Sequence, residues 1–309
     1  MKILLTGSSG FLGKNIIEQF NKIIPSQNKH LLTPSSSELN LLDDGSIKNY
    51  LKNNKPDFII HAAGIVGGIQ ANILNPVKFL VENTLMATFL IKGAHDFGVP
   101  SLLNIGSSCM YPRDLNNPLE ESNLFKGECE PTNEGYAISK LYAQRLCSYI
   151  NKEQNFKSYK TIIPCNLYGK WDSFLDNKSH MIPAAIKKIH HAKVNGIDNV
   201  TIWGSGSARR ENMYASDLGE FICFIINNFE LIPEVMNVGA GCDYTITEYY
   251  NYICGTINYG GNLIYDLEKP EGMKQKLVSV TKQKNIGWEP KTSIIQGLKK
   301  TYKFYKENY

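Results

Sequence analysis

The sequence predicts an α/β fold, a doubly wound parallel sheet with a smaller C-terminal α/β substrate lobe, and three features predict it. Short β-rich runs alternate with helical patterns through the first half of the chain, a glycine-rich turn stands at the first strand-to-helix junction, and the alternation weakens after about Tyr168. With 309 residues and 42% hydrophobic content, the chain can bury a sizeable core, as one large domain or as a main domain with a second lobe.

The alternation comes first. Lys2–Thr6, His30–Thr33, Phe58–His61, Leu102–Ser107 and Lys160–Ile163 read as strands, and Leu12–Phe20, Pro76–Phe97 and Tyr136–Ile150 as helices between them. Strand, helix, strand in this order gives a parallel sheet with helices on both faces, whose ligands sit beyond the strand C-termini. Beyond Tyr168, Gly169–Asp172 and the polar Asp176–Ser179 segment read as loop. Met213–Asn228 has helical spacing and Glu234–Val238 reads as one more buried strand. The expected division is therefore a dinucleotide-binding domain of residues 1–168, rejoined by about 209–238, and a substrate lobe of 169–208 and 239–309.

Composition narrows the function. Net charge is +4 with both signs interspersed, so no basic block points to nucleic acid or anionic lipid. No apolar run approaches the roughly 18 residues that suggest a membrane span, and the N-terminus reaches its glycine turn too soon to hold a signal-peptide core. Seven cysteines, odd in number and without a Cys-x-x-Cys pair, argue for reduced thiols in the cytoplasm and against a structural zinc site.

The glycine turn is Thr6-Gly7-Ser8-Ser9-Gly10-Phe11-Leu12-Gly13, with the pattern Gly-x-x-Gly-x-x-Gly between the first strand and the first helix. Gly7 and Gly10 permit backbone N–H groups to approach a pyrophosphate at the helix N-terminus, and Gly13 lets helix and strand pack closely. This is a Rossmann-type arrangement for a nicotinamide dinucleotide. After the second strand comes Thr33-Pro34-Ser35-Ser36-Ser37, with no carboxylate before Glu38. An acid there would bind the ribose 2′-hydroxyl and disfavour a 2′-phosphate, so NADPH is favoured over NADH. The same serines also suit a solvated turn.

Tyr136 and Lys140 stand four residues apart at the start of a helix, hence on one face. An ammonium beside a phenol favours the phenolate and lowers a pKa that is ordinarily about 10. Upstream, Gly106-Ser107-Ser108 at a strand end offers a hydroxyl to polarise a carbonyl. Together the three suggest acid–base chemistry on a ketone. Cys109, two residues from Ser107 in an extended segment, points to the same side, either as a thiol beside that carbonyl or as a small buried hydrophobe. His180, in the polar loop opening the second lobe, reads either as a solvated or structural histidine or as a catalytic one.

Several separated blocks now resemble one family over almost the whole chain, from Leu4 to about Tyr305. They are His61–Ile69 (HAAGIVGGI), Gly106–Pro112 (GSSCMYP), Glu130–Ala137 (EPTNEGYA), Asn166–Gly169 (NLYG), Ser179–Ala184 (SHMIPA) and Trp203–Gly206 (WGSG). The chain is similar to GDP-L-fucose synthase, the bifunctional epimerase/reductase of GDP-4-keto-6-deoxymannose in the extended short-chain dehydrogenase/reductase superfamily. The resemblance implies that Ser107, Tyr136 and Lys140 orient the 4-keto oxygen, protonate it and bind the nicotinamide ribose. It implies that Cys109 and His180 are the base and acid that invert C3 and C5. It further implies cofactor contacts from Gly7, Ser9, Gly10, Phe11, Leu12, Gly13, Ala62, Ala63, Gly64, Pro164, Asn166, Leu167 and His180. Ser108, Cys109, Asn166, Lys188, Trp203, Arg210 and Lys276 would contact the GDP-sugar, and no metal is implied. A homodimer and a role in activated-sugar biosynthesis for surface polysaccharide follow from the same likeness.

The chain also departs from the family. Ser9 and Ser35–Ser37 replace arginines that often grip the 2′-phosphate, Lys188 stands where arginine is more usual, and Leu277–Thr281 lacks an aspartate typical of that stretch. These changes leave room for a different GDP-4-keto sugar, including a heptose. Two other readings are a nucleotide-sugar 4-epimerase or dehydratase that keeps its NAD, and a non-catalytic nucleotide-binding scaffold.

Overall fold

The computed structural model describes residues 1–24, 29–155, 158–175, 179–269 and 272–309. In chain order the first half comprises β1 (Lys2–Thr6), α1 (Phe11–Ile23), β2 (His30–Leu32), α2 (Asp44–Asn54), β3 (Phe58–His61), α3 (Ile69–Leu74), α4 (Pro76–Asp96), β4 (Ser101–Ile105), α5 (Glu134–Gln154) and β5 (Tyr159–Pro164). There follow β6 (Asn166–Tyr168), α6 (Met181–Val194), β7 (Asn199–Trp203), β8 (Arg209–Arg210), β9 (Asn212–Tyr214), α7 (Ala215–Asn227) and β10 (Val235–Val238). The chain closes with β11 (Tyr244–Thr245), α8 (Ile246–Ile257), β12 (Asn262–Asp266), β13 (Gln275–Lys276), α9 (Thr281–Asn285) and α10 (Ile294–Asn308).

Six strands form one wholly parallel sheet in the order β10-β5-β4-β3-β1-β2. Helices cover both faces, so β3 and β5 are buried at every position, their polar residues included. One face packs on α1 and α7 around Ile16, Phe221 and Ile222; the other packs on α2, α4 and α5 around Ile47, Leu90 and Ala143. Each leucine or isoleucine so buried contributes about 1.5–3 kcal/mol. The strand order reverses between β1 and β3, and a crevice opens there at the strand C-termini.

A third apolar cluster, with Ile186, Ile189, Tyr249, Ile253 and Leu298, unites α6, α8 and α10 with β7. Two small sheets border it, β12-β7 and β11-β8-β13, and β6 pairs with β9 beside the main sheet. Arg209–Arg210 belongs to the small sheet, whereas α7 and β10 belong with the six-stranded one.

The Rossmann-type fold expected from the sequence is the fold observed. The differences are local. Met213 is in β9 and the helix begins only at Ala215. Ser107–Met110 is not extended: Ser107 caps a 3₁₀ turn over Ser108–Met110, its Oγ accepting the Cys109 N–H at 3.3 Å. His180 is the residue preceding the first turn of α6, not part of an open loop. Of the Asp176–Ser179 segment, 176–178 lie outside the described residues. Among the described residues no helix is long and apolar enough to cross a membrane.

Candidate active site

At the crevice a single cleft of about 1400 Å³ runs from the β1–α1 turn, past the end of β4 and the start of α5, to α6 and β13. It is lined by every site residue named above except Ser9 and Ser108. Ser9 is exposed off the cleft wall. Ser108, in the 3₁₀ turn, is only 2% accessible and does not line the cleft.

The dinucleotide end is shaped by what glycine omits. Gly7 has φ +71°, and a Cβ there would stand 2.7 Å from the Ala63 amide nitrogen; one on Gly13 would stand 2.1 Å from the Gly7 carbonyl. Only bare backbone lets β1, α1 and the Ala62–Gly64 turn meet. Gly10 precedes α1 without a side-chain cap, and no acidic residue sits in the first turn of that helix. Its free N–H groups and positive dipole end therefore face the cleft, which fits the pyrophosphate of a dinucleotide.

The 2′ edge is less open than the sequence suggests. Glu38 folds back so that its carboxylate accepts from the Ser35 N–H at 2.7 Å and the Ser35 hydroxyl at 2.8 Å. Those bonds hold the Glu38 carboxyl below its usual range, and they occupy donors that a phosphate would use.

At the middle of the cleft, Ser107 and Tyr136 stand together, the hydroxyl close enough to pull the phenol down. The Lys140 ammonium donates to the Ile105 carbonyl at 2.9 Å and lies 5.8 Å from the Tyr136 ring centroid. The expected lowering of the phenol does not occur. Burial pushes Tyr136 well above its ordinary value, with Ser107 pulling only weakly the other way, and burial lowers Lys140 to about 8. Burial, with the Cys109 sulfur adding to it, keeps the phenol protonated, the state an acid needs.

The far end carries Cys109, His180 and the basic side chains. Cys109 Sγ accepts from Asn133 Nδ2 at 3.2 Å and lies 3.7 Å from Lys276 Nζ. Burial lowers the His180 imidazole. Arg210 and Lys276 are direct partners in the parallel pairing of β8 and β13. Between those strands and β10 sits Glu211, buried, accepting from the Gly241 and Val278 N–H groups at 2.8 and 2.9 Å and pushed up to about 7 by burial. Lys188 Nζ reaches the Thr201 carbonyl at 2.7 Å, half-exposed Trp203 stacks under Lys269, and Asn166 Nδ2 donates to the Glu211 carbonyl oxygen.

Sequence reasoning did not single out Asn133, Asp172 or Glu211 as site residues. Asn133 stood in the EPTNEGYA block, three residues before Tyr136, and that adjacency was the available signal. Asp172 lines the cleft with 4% of its surface accessible, and its Oδ2 has no partner among the described residues.

A doubly wound sheet with a glycine cradle at the switch point and a serine, tyrosine and lysine beside it defines a nicotinamide-dependent oxidoreductase. The chain belongs to the NAD dependent epimerase/dehydratase family, whose model matches residues 3–239. It is 53% identical to a GDP-L-colitose synthase of Yersinia pseudotuberculosis, over 99% of this chain and 98% of that one. It is 41% identical to a GDP-L-fucose synthase of Azorhizobium caulinodans, over 98% and 96%. Among solved structures it resembles a GDP-6-OMe-4-keto-L-xylo-heptose reductase from C. jejuni, with TM-score 0.92, 25% identity, and coverage of 100% of this chain and 98% of that one. It also resembles a GDP-mannoheptose C4 reductase from Campylobacter jejuni with NADP bound, with TM-score 0.87, 26% identity, and coverage of 99% and 98%.

Proposed function

We propose that the protein uses NADPH to reduce the C4 keto group of a GDP-4-keto-deoxyhexose, after inverting one or both carbons flanking the ketone. The observation that carries this is the single cleft holding two sets of groups. Ser107, Tyr136 and Lys140 serve the ketone, and Cys109 and His180 serve its neighbours. The deoxyhexose is favoured over a heptose because the relatives at 53% and 41% identity are named for L-colitose and L-fucose, both deoxyhexoses, whereas the heptose reductases stand at 25% and 26%. NADP(H) is supported by the NADP-bound reductase above and by the absence of an acid between Leu32 and Glu38.

The β1–α1 turn and the Ala62–Gly64 turn would hold the cofactor, and Pro164, Asn166, Leu167 and Lys140, which line the same cleft, would complete its site. When bound, the reduced nicotinamide supplies hydride to the ketone carbon. The Ser107 hydroxyl orients the keto oxygen, and Tyr136, protonated because it is buried, gives that oxygen its proton. Before that, the ketone acidifies the neighbouring C–H bonds, where Cys109 removes a proton on one face and His180 returns one on the other. Lys188 and Arg210 neutralise the diphosphate, and Trp203 offers a flat apolar surface. In this reading residues 1–168 with 215–238 hold the cofactor and the remainder holds the sugar nucleotide.

The protein works in the cytoplasm, in activated-sugar supply for surface polysaccharide, as a homodimer. The dimer is supported by apolar side chains exposed along α4 and α5: Val77, Val81 and Leu85 on one helix, and Ile138, Tyr142 and Tyr149 on the other. A second copy would cover this stripe.

The test is incubation of GDP-4-keto-6-deoxymannose, its 3-deoxy counterpart and the heptose analogue with NADPH in deuterated water. Expected are one NADPH consumed per sugar and deuterium at C5, with C3 labelling reported separately. Turnover without net NADPH consumption would instead make the protein a 4-epimerase or dehydratase, and no turnover on any of the three would leave a scaffold.

A further inference from the structure

Asn133 breaks a local rule. It occupies the position before the first turn of α5, with φ −144° and ψ 25°, where asparagine ordinarily bonds its side chain to the helix N–H groups. Here it makes no such capping bond. Its amide Nδ2 reaches instead to Cys109 Sγ at 3.2 Å, while Lys276 approaches the same sulfur from β13 at 3.7 Å. Lys276 is buried, and Asn133 Oδ1 is buried without a partner among the described residues. A residue that forgoes a cap worth about 1 kcal/mol to point at a thiol is placed there for the thiol.

We propose that Asn133 and Lys276 are positioning residues that hold the Cys109 sulfur as a thiolate, its lone pair directed into the cleft. This rests on the reading above that Cys109 acts at a carbon beside the ketone. The amide and the ammonium each donate to the charged sulfur more strongly than to the neutral thiol, whose sulfur is only a weak acceptor. The other groups facing the sulfur offset rather than replace them. Tyr136 on α5 and Cys129 on the preceding loop couple electrostatically to Cys109, and Glu134 reaches Cys129. Glu130 and His180 line the same cleft.

The step balances. The C–H bond breaks, the S–H bond forms, and the carbon's electron pair moves onto the keto oxygen as an enolate. The enolate then takes a proton from His180 on the opposite face, regenerating the ketone with inverted configuration. The thiol gives up its proton to solvent, and the imidazole regains one, before the next exchange. The amide and the ammonium stay in place throughout, so the sulfur returns to the thiolate after each cycle.

The experiment follows Cys109 alkylation by iodoacetamide as a function of pH, read by mass spectrometry of the Cys109 peptide in the full-length protein. The variants are Asn133→Ser, Asn133→Asp and Lys276→Met. Serine keeps a good helix cap but cannot reach the sulfur, and aspartate keeps the reach but brings negative charge. The expected result is an alkylation midpoint raised by about one pH unit in Asn133→Ser and Lys276→Met, and further in Asn133→Asp. Deuterium uptake at the carbon next to the ketone should fall in the same order. An unchanged midpoint in all three, with circular dichroism showing a retained fold, overturns the proposal. Wild-type reduction without deuterium uptake overturns the epimerisation reading itself, and is recognised as such because the wild-type protein fails it.

Discussion

The Lys140 ammonium is bonded to the Ile105 carbonyl, 2.9 Å away, and stands 5.8 Å from the centre of the Tyr136 ring. One of the three ammonium donors is thus bound at the end of β4, and Tyr136, kept neutral by burial, is an intact O–H donor. Tyr136→Phe should keep the fold and the cofactor affinity while the reductive rate falls by about 10²–10⁴. Stopped-flow oxidation of NADPH at 340 nm checks it, and wild-type rates in the variant would sink the assignment.

Lys140 titrates at about 8 in the folded protein against an ordinary 10.5. The native state loses this proton first, so the group's contribution to stability rises as pH climbs from about 8 to about 10.5, and at neutral pH the buried charge is a cost. Lys140→Met should lose turnover yet gain about 1–3 kcal/mol in urea unfolding at pH 7. A variant less stable than wild type would contradict that sign.

Glu38 is the residue to change for cofactor preference. Glu38→Gln removes the charge that occupies the Ser35 donors, and the ratio of kcat/KM for NADPH to that for NADH should rise about three- to tenfold. An unchanged ratio would mean that the 2′ edge is read elsewhere.

Asp172 is raised to about 7 by burial. Because the folded value lies above the ordinary 3.8, its contribution is full at low pH and is lost as pH rises from about 4 to about 7. Asp172→Asn should match wild type near pH 4 and exceed it by about 1–3 kcal/mol at pH 8. Equal pH slopes in the two proteins would show that the carboxyl is better solvated than its burial implies.

Paired changes Val77→Asp and Val81→Asp place charge in the exposed stripe of α4. Light scattering should show half the wild-type mass, with the monomer still folded. A wild-type protein that already runs as a monomer would remove the dimer from the proposal.

The parts of this molecule that follow local rules were legible in its sequence. Lys2–Thr6 and Phe58–His61 are strands with the bounds expected of them, and the glycine spacing located the tight turn between β1 and α1, because both depend on neighbours in the chain. What depends on distant partners was not legible. The phenol's ionisation is set by how completely α4, α5 and the Ser107 turn enclose it, and residue spacing carries no measure of enclosure. The turn over Ser108–Met110 was not legible, because the residues alone do not say whether Ser107 caps a 3₁₀ turn or continues the strand. Asn133 and Lys276 meet at Cys109 from positions 143 residues apart, which only the folded chain brings together.

The route of the chain has an engineering consequence. After β5 it leaves the six-stranded sheet, builds α6, β7 and β8, returns through α7 to lay down β10 at the sheet edge, departs for α8, comes back with α9 against β10 and ends on α10. A contiguous block transplanted from a homologue with another sugar preference would carry away that edge strand or tear the weave that holds it. Retargeting this scaffold therefore calls for scattered single replacements on α6, β8 and β13, chosen together, rather than for a modular exchange.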